Sequence, residues 1–255
     1  MRPFHIVTIL FLLASAALLW QWRAGSASLW WLIPLFVLYT IPLVLGAIYI
    51  RWNFYFKSFD KGTNKEWITL TFDDGPASQT AAILDILKVQ GVPAAFFSIG
   101  RNAAANPDLV RRWATEGHII GNHSYHHGFN FDWKSAKAMA AEIEETNQTI
   151  NSITGLTPKL FRPPYGVTNP NLGKAIRKTG MHSIGWNIRS FDTTAKEPAQ
   201  LLARILDQLT GGDIILLHDS MPLTREILTE LIVRARQKGF TFVALDKMLD
   251  LNAYA

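Results

Sequence analysis

Trp67-Ile68-Thr69-Leu70-Thr71-Phe72-Asp73-Asp74-Gly75-Pro76 is the stretch that decides the fold. Trp67–Phe72 is rich in β-branched and aromatic residues and reads as a strand. Two carboxylates and a Gly-Pro turn end it. From Thr80 to Gln90, Ile83, Leu84, Ile86 and Leu87 then recur at helical spacing. A short apolar strand that ends in polar residues and passes into an amphipathic helix is the opening of a parallel strand–helix–strand unit.

The same alternation continues towards the C-terminus. Strands are predicted at Ala94–Ile99, His118–Gly121, Leu160–Phe161, His182–Trp186, Asp213–Leu217 and Phe240–Ala244. Helices are predicted at Pro107–Glu116, along Ala136, Met139, Ile143, Asn147 and Ile150, at Asn169–Lys178, through Leu201–Leu209, and at Leu223–Lys238. About seven strand–helix units give an α/β fold with a parallel sheet, closed as a slightly reduced (β/α) barrel. An open, doubly wound sheet has the same periodicity and is the alternative.

Towards the N-terminus the character changes. The chain has 255 residues, of which 49% are hydrophobic and 18% charged, so it is no disordered polymer. Two apolar runs, about residues 4–21 and 29–50, carry no charge apart from Arg23 between them. The second is long enough to cross roughly 30 Å of hydrocarbon. Trp20, Trp22, Trp30 and Trp31 crowd the connecting loop, and Tyr49, Trp52 and Tyr55 the far end, as an interfacial aromatic belt requires. Residues 1–57 therefore read as a membrane anchor of two transmembrane helices, and 58–255 as a catalytic domain. A cleaved leader is the other reading of the first run, with Arg2 ahead of it and Ala14-Ser15-Ala16 near its end. Arg2 on one flank, and Arg51, Lys57, Lys61 and Lys65 on the other, outnumber Arg23 in the loop, which predicts a cytoplasmic domain. The extracytoplasmic side is the alternative.

The net charge of +5 comes almost wholly from residues 1–57, which hold four basic residues and no acid. The remainder is close to neutral and offers no basic stripe for nucleic acid. Cysteine is absent, which excludes disulfides, thiolate metal sites and a cysteine nucleophile.

The polar residues collect at the ends of the predicted strands: Asp73 and Asp74 after the first, His123 and His127 after the third, Arg162 and Tyr165 after the fourth, His218 at the end of the sixth. In a parallel barrel those ends share one rim, where active sites are built. His123 and His127 are four apart, which puts them on one face if the stretch is helical. With Asp74 they make two imidazoles and a carboxylate, a donor set for a divalent transition metal with positions left for water and substrate. His126 falls outside it. A histidine ending an apolar strand, as His218 does, suits proton transfer near neutral pH.

Thr71-Phe72-Asp73-Asp74-Gly75-Pro76, His123-Ser124-Tyr125-His126-His127, Arg162-Pro163-Pro164-Tyr165 and Leu216-Leu217-His218 occur in order over about residues 65–245. Together they resemble the polysaccharide deacetylases of carbohydrate esterase family four, the NodB homology domain. The resemblance implies a deformed (β/α) barrel, a divalent metal, most often Zn²⁺, and hydrolysis of an N-acyl group, typically acetyl, on an amino sugar. It implies Asp73 as general base, Asp74, His123 and His127 as metal ligands, Arg162 orienting Asp73, the Tyr165 backbone N–H as oxyanion donor and His218 as general acid. One position departs from the pattern: Arg189 stands where an aspartate that tunes the acid histidine is expected, and Asp192 is the carboxylate that could replace it.

A membrane anchor suggests a substrate at the membrane, such as an N-acylated amino sugar linked to polyprenyl phosphate, with membrane lipid as a partner. An exported glycan is the external alternative. A catalytically silent carbohydrate-binding protein is the reading from another class, and the full set Asp73, Asp74, His123, His127 and His218 stands against it.

Overall fold

The computed structural model describes all residues, 1–255. Two apolar helices come first: α1 (Pro3–Arg23) and α2 (Leu32–Ile48), the second entered through a 3₁₀ turn at Leu29–Trp31. The second apolar run is thus a helix from Leu32 to Ile48, and Ile50–Trp52 forms a separate 3₁₀ turn. The helices pack as a hairpin, with the Phe11 and Tyr39 rings stacked at 4.3 Å and the Tyr39 hydroxyl 3.1 Å from Thr8 Oγ1. No residue of α1 and only Gly46 of α2 is buried, so neither is a core helix.

The rest is one parallel sheet with helices outside it. The strands are β1 (Ser58–Phe59), β2 (Trp67–Asp73), β3 (Ala94–Ser98), β4 (Ile119–Asn122), β5 (Leu160–Phe161), β6 (His182–Ile184), β7 (Ile188–Arg189), β8 (Asp213–His218) and β9 (Thr241–Phe242). Their spatial order is β1-β6-β5-β4-β3-β2-β8-β7, with β9 paired to the start of β2, and every pairing between them is parallel. The expected deformed (β/α) barrel is present as a half-barrel, a curled parallel sheet left open between its edge strands β1 and β7. It holds nine strands rather than about seven because β1 and β7 are two-residue strands with no periodicity to read.

The helices are α3 (Thr80–Gln90), α4 (Gly100–Ala105), α5 (Pro107–Thr115), α6 (Ala136–Thr154), α7 (Pro170–Thr179), α8 (Pro198–Gln208), α9 (Pro222–Gln237) and α10 (Leu245–Leu249). Neither α4 nor α10 was visible as a separate periodic run. Pro107, Pro170, Pro198 and Pro222 each open a helix, where a missing N–H costs nothing.

Alternation along β2 divides the core. Ile68, Leu70 and Phe72 point towards the outer helices, where Phe72, Phe96 and Trp113 stack at 5.0 and 4.8 Å. Thr69, Thr71 and Asp73 take the opposite face and are buried too. Inside the curl Ala95, Phe97, Leu160, Ile184 and Ile214 pack with Leu245 of α10 and Ala253. The chain end plugs one mouth of the half-barrel: the Ile120 N–H donates to the Tyr254 hydroxyl at 2.8 Å. The strand C-termini surround the other mouth.

Candidate active site

Asp73 ends β2 and His218 ends β8, and the two residues are register partners across those strands. One oxygen of Asp73 accepts from Arg162 Nη1 at 2.7 Å. Arg162 is wholly buried. It also donates to Thr71 Oγ1 (2.8 Å), to the Gly185 carbonyl (3.0 Å) and, through Nε, to the Ile184 carbonyl (3.4 Å), and its guanidinium lies 4.1 Å from the centre of the Phe97 ring. Every donor direction but one is thus committed to holding the ion pair in place. Burial pushes the Asp73 carboxyl above the usual carboxylate range, and the Arg162 charge pulls against it.

Asp74 leaves the strand with a left-handed backbone (φ 74°), which separates its carboxylate from that of Asp73. Gly75 follows because nothing larger fits: a Cβ there would stand 2.1 Å from Asp219 Oδ2. The Asp74 carbonyl accepts from Asn102 Nδ2 of α4 at 2.7 Å.

His123 and His127 meet at Asp74, though not by way of a helix. The segment after β4 is irregular, with Ser124 at φ 63° and His127 at φ 49°. Two left-handed residues fold it back so that the imidazole centres lie 4.7 Å apart. Glu142 of α6, buried and paired with Lys134, accepts the N–H groups of Tyr125 (3.2 Å) and His126 (3.1 Å). The first N–H groups of α4 donate to the Ser124 and Tyr125 carbonyls at 2.9 and 3.1 Å. Neither Glu142 nor α4 was foreseen as a support. His126 turns aside, its ring nitrogen 3.7 Å from Glu142.

The donor chemistry fits a metal. His123 Nδ1 lies 2.7 Å from the Arg162 carbonyl, which can only accept, so the proton sits on Nδ1 and Nε2 keeps its lone pair. Burial, then the neighbouring His127, lowers the His123 pKa to about 3 and keeps the ring neutral. Nε2 of both histidines is 3.6 Å from Asp74 Oδ1, a buried oxygen with no hydrogen-bond partner. All three donor atoms lie within 4.8 Å of one another. Ligands about 2.1 Å from a shared zinc ion would be separated by about 3.4 Å.

Tyr165 sits in a 3₁₀ turn, Pro164–Gly166, at φ 56°, and its ring packs on His127 at 4.6 Å. His218 is held by Asp192. The Asp192 carboxylate accepts from His218 Nδ1 (2.8 Å), from the His218 N–H (2.7 Å) and from Thr224 Oγ1 (2.7 Å). Burial pulls the His218 pKa down, but the Asp192 hydrogen bond and charge outweigh it and push it up to about 9. Asp192 therefore makes to His218 the contact that the resemblance leads one to expect from an aspartate at position 189. A cleft of about 250 Å³ opens between these groups, lined also by Trp186, Arg189 and Thr193.

A family model described as polysaccharide deacetylase matches residues 60–184. The chain is 34% identical over 187 residues to the peptidoglycan-N-acetylglucosamine deacetylase PgdA of Listeria monocytogenes, a match that spans 73% of this chain but 39% of that relative. It is 33% identical over 203 residues to a peptidoglycan-N-acetylglucosamine deacetylase of Bacillus cereus, spanning 78% of this chain and 74% of that one. The crystal structure of the Bc1960 peptidoglycan N-acetylglucosamine deacetylase superposes with a TM-score of 0.73 at 31% identity, over 78% of this chain and 94% of that one.

Proposed function

Because the chain belongs to the polysaccharide deacetylase family, we propose that it hydrolyses an N-acyl group, acetyl above all, from an amino sugar within a glycan, using a divalent cation held by Asp74, His123 and His127. The observation that carries this reading is the buried Asp74 oxygen without a hydrogen bond, equidistant from the Nε2 atoms of two imidazoles. The proposed cation is Zn²⁺, for which two imidazoles and a carboxylate are a common catalytic set.

A cation held by Asp74, His123 and His127 would polarise the amide carbonyl and acidify an adjacent water. Asp73 is the base. Arg162 engages its Oδ1, while Oδ2 lies 3.8 Å from His123 Nε2, beside the metal ligands, and takes the proton from the attacking water. The Tyr165 N–H is the proposed donor to the developing oxyanion. His218, kept protonated by Asp192, delivers a proton to the sugar nitrogen, so that an amine rather than an amide anion departs. The base and the acid come from adjacent strands at one register position, which supports attack and departure on opposite sides of one carbonyl.

Residues 1–57 are proposed as a two-helix membrane anchor and 58–255 as the catalytic domain. The exposure of α1 and α2 supports it, and so does the way they join the domain. Thr168, three residues beyond Tyr165, donates its hydroxyl to the Gly46 carbonyl (2.9 Å) and its N–H to the Ala47 carbonyl (3.0 Å) in the last turn of α2. Asn169 donates to the Asp132 carbonyl at 2.9 Å, in the loop that bears Phe129 and Trp133, both 89% exposed. Aromatic side chains beside a helix end are at home at headgroup level. This supports a membrane-proximal substrate, of which a polyprenyl-phosphate-linked amino sugar is one, with lipid as a partner. The flanking lysines and arginines favour the cytoplasmic face; the names of the peptidoglycan-acting relatives favour the outer one. A reporter fused to the C-terminus separates the two.

Acetate release by the detergent-solubilised, zinc-loaded chain, compared with Asp73→Asn over a panel of N-acetylated glycan oligomers, tests the activity. Wild type is expected to release acetate and the variant to lose it. No release by either across the panel would favour a silent carbohydrate-binding protein.

A further inference from the structure

Arg189 lines the same cleft as Asp73, Asp74 and His218, yet the proposed chemistry gives it no task. It is the last residue of β7, paired in register with Leu216, two residues before His218. Arg162 is neutralised by Asp73, and the His218 imidazolium by Asp192. The Arg189 guanidinium has neither a carboxylate at ion-pair distance nor a hydrogen bond within the chain. Its contact is aromatic: it lies 4.9 Å from the centre of the Phe191 ring.

Phe191 is built into this position at a cost. Its backbone is left-handed (φ 59°), unusual for a bulky residue, and its ring is left half-exposed. A second guanidinium, that of Arg204 in α8, approaches the same ring at 5.7 Å and donates to the Ser190 carbonyl at 3.3 Å. Arg204 also lacks an acidic partner. Two like charges gathered on one half-exposed ring, neither with an acidic partner, make a positive ledge that Arg189 carries into the cleft. The planar fork of a guanidinium matches a carboxylate or a phosphate with two parallel hydrogen bonds.

We infer that Arg189, backed by Phe191, is a specificity subsite for an acidic substituent of the substrate glycan, a carboxylate or a phosphate ester near the sugar that loses its acyl group. The inference rests on the deacetylase reading of the cleft and names the class of amino sugar it selects. Where a relative with an aspartate at this position would repel such a group, this chain attracts it.

The test is calorimetric titration of the solubilised, zinc-loaded full chain with three ligands: neutral N-acetylglucosamine, N-acetylmuramic acid with its carboxylate, and N-acetylglucosamine 1-phosphate. Wild type is expected to bind one acidic ligand at least about tenfold more tightly than the neutral sugar, as a charge-assisted contact implies. Which acidic ligand wins identifies the source of the charge. Arg189→Gln is expected to abolish the preference. Arg189→Lys, which keeps the charge without the fork, is expected to retain part of it. Equal affinity of wild type for all three ligands overturns the inference. So does a preference that Arg189→Gln leaves intact, since the anion would then be seated on the zinc ion. Acetate release from glycan oligomers, measured alongside, tests the deacetylase reading separately, because the ligand preference is read without turnover.

Discussion

Both oxygens of Asp192 are bound to His218, one to its ring at 2.8 Å and the other to its backbone N–H at 2.7 Å. A single buried carboxylate thus sets the position of the imidazole, its tautomer and its charge. Residues 189–192 bend sharply between β7 and the loop before α8, with Phe191 left-handed, and this bend carries Asp192 back to the strand end.

The first prediction follows from that charge. The proposed proton delivery requires protonated His218, so kcat/KM should fall as pH rises through its pKa of about 9. Asp192→Asn removes the interactions that raise the value. The alkaline limb should move down towards the ordinary imidazole value of about 6.5, with activity at pH 8 reduced about tenfold or more. A pH–rate profile of acetate release for both proteins checks it.

The proposed metal ligands make a second prediction. The purified chain should hold one zinc per molecule by elemental analysis. Chelation should remove its activity, and added zinc should restore it. His123→Gln and Asp74→Asn should each lower zinc affinity by about a hundredfold or more, since they remove a direct ligand where loss of an outer partner already costs about 10–100-fold.

Arg162 and Asp73 should behave as a unit. Arg162→Gln strands a buried carboxylate and should cost about 3–5 kcal/mol in denaturant unfolding of the solubilised protein. Asp73→Asn added to it should recover part of that loss, a coupling that a double-mutant cycle measures directly. Activity should be lost in all three variants.

The proposed anchor makes a fourth. Intact-mass analysis of protein from membranes should recover the chain with α1 attached, and alkaline carbonate should fail to extract it. A chain shortened just after Ala14-Ser15-Ala16 would instead identify the first run as a leader.

Much of this was open to reading from residues because the outer helices and the long central strands obey one period each. Ile83, Leu84 and Leu87 form a buried stripe on α3, as their spacing requires, and β2 and β8 are apolar runs ended by charge. The strand-end rule brought Asp73, Asp74, His123, His127, Arg162, Tyr165 and His218 to one mouth. What escaped has no periodic signal. The two edge strands have two residues each. The turn that joins His123 to His127 depends on left-handed φ at Ser124 and His127 and on Glu142, which lies 15 residues downstream of His127 on another element. Asp192 was visible as the nearest carboxylate to the departure at Arg189, but its grip on His218 depends on the path of the chain around Phe191.

The bonds from Thr168 to the end of α2 have a consequence for how the protein meets its substrate. A flexible tether would let the cleft roam through a shell of solution. A clamp three residues from the cleft wall holds it at one height. Were the proposed hairpin seated in a bilayer, encounter would become diffusion in two dimensions, and the enzyme would work as a gauge of depth: glycan lying within reach of the headgroups would be modified, and the same sugar farther out passed over.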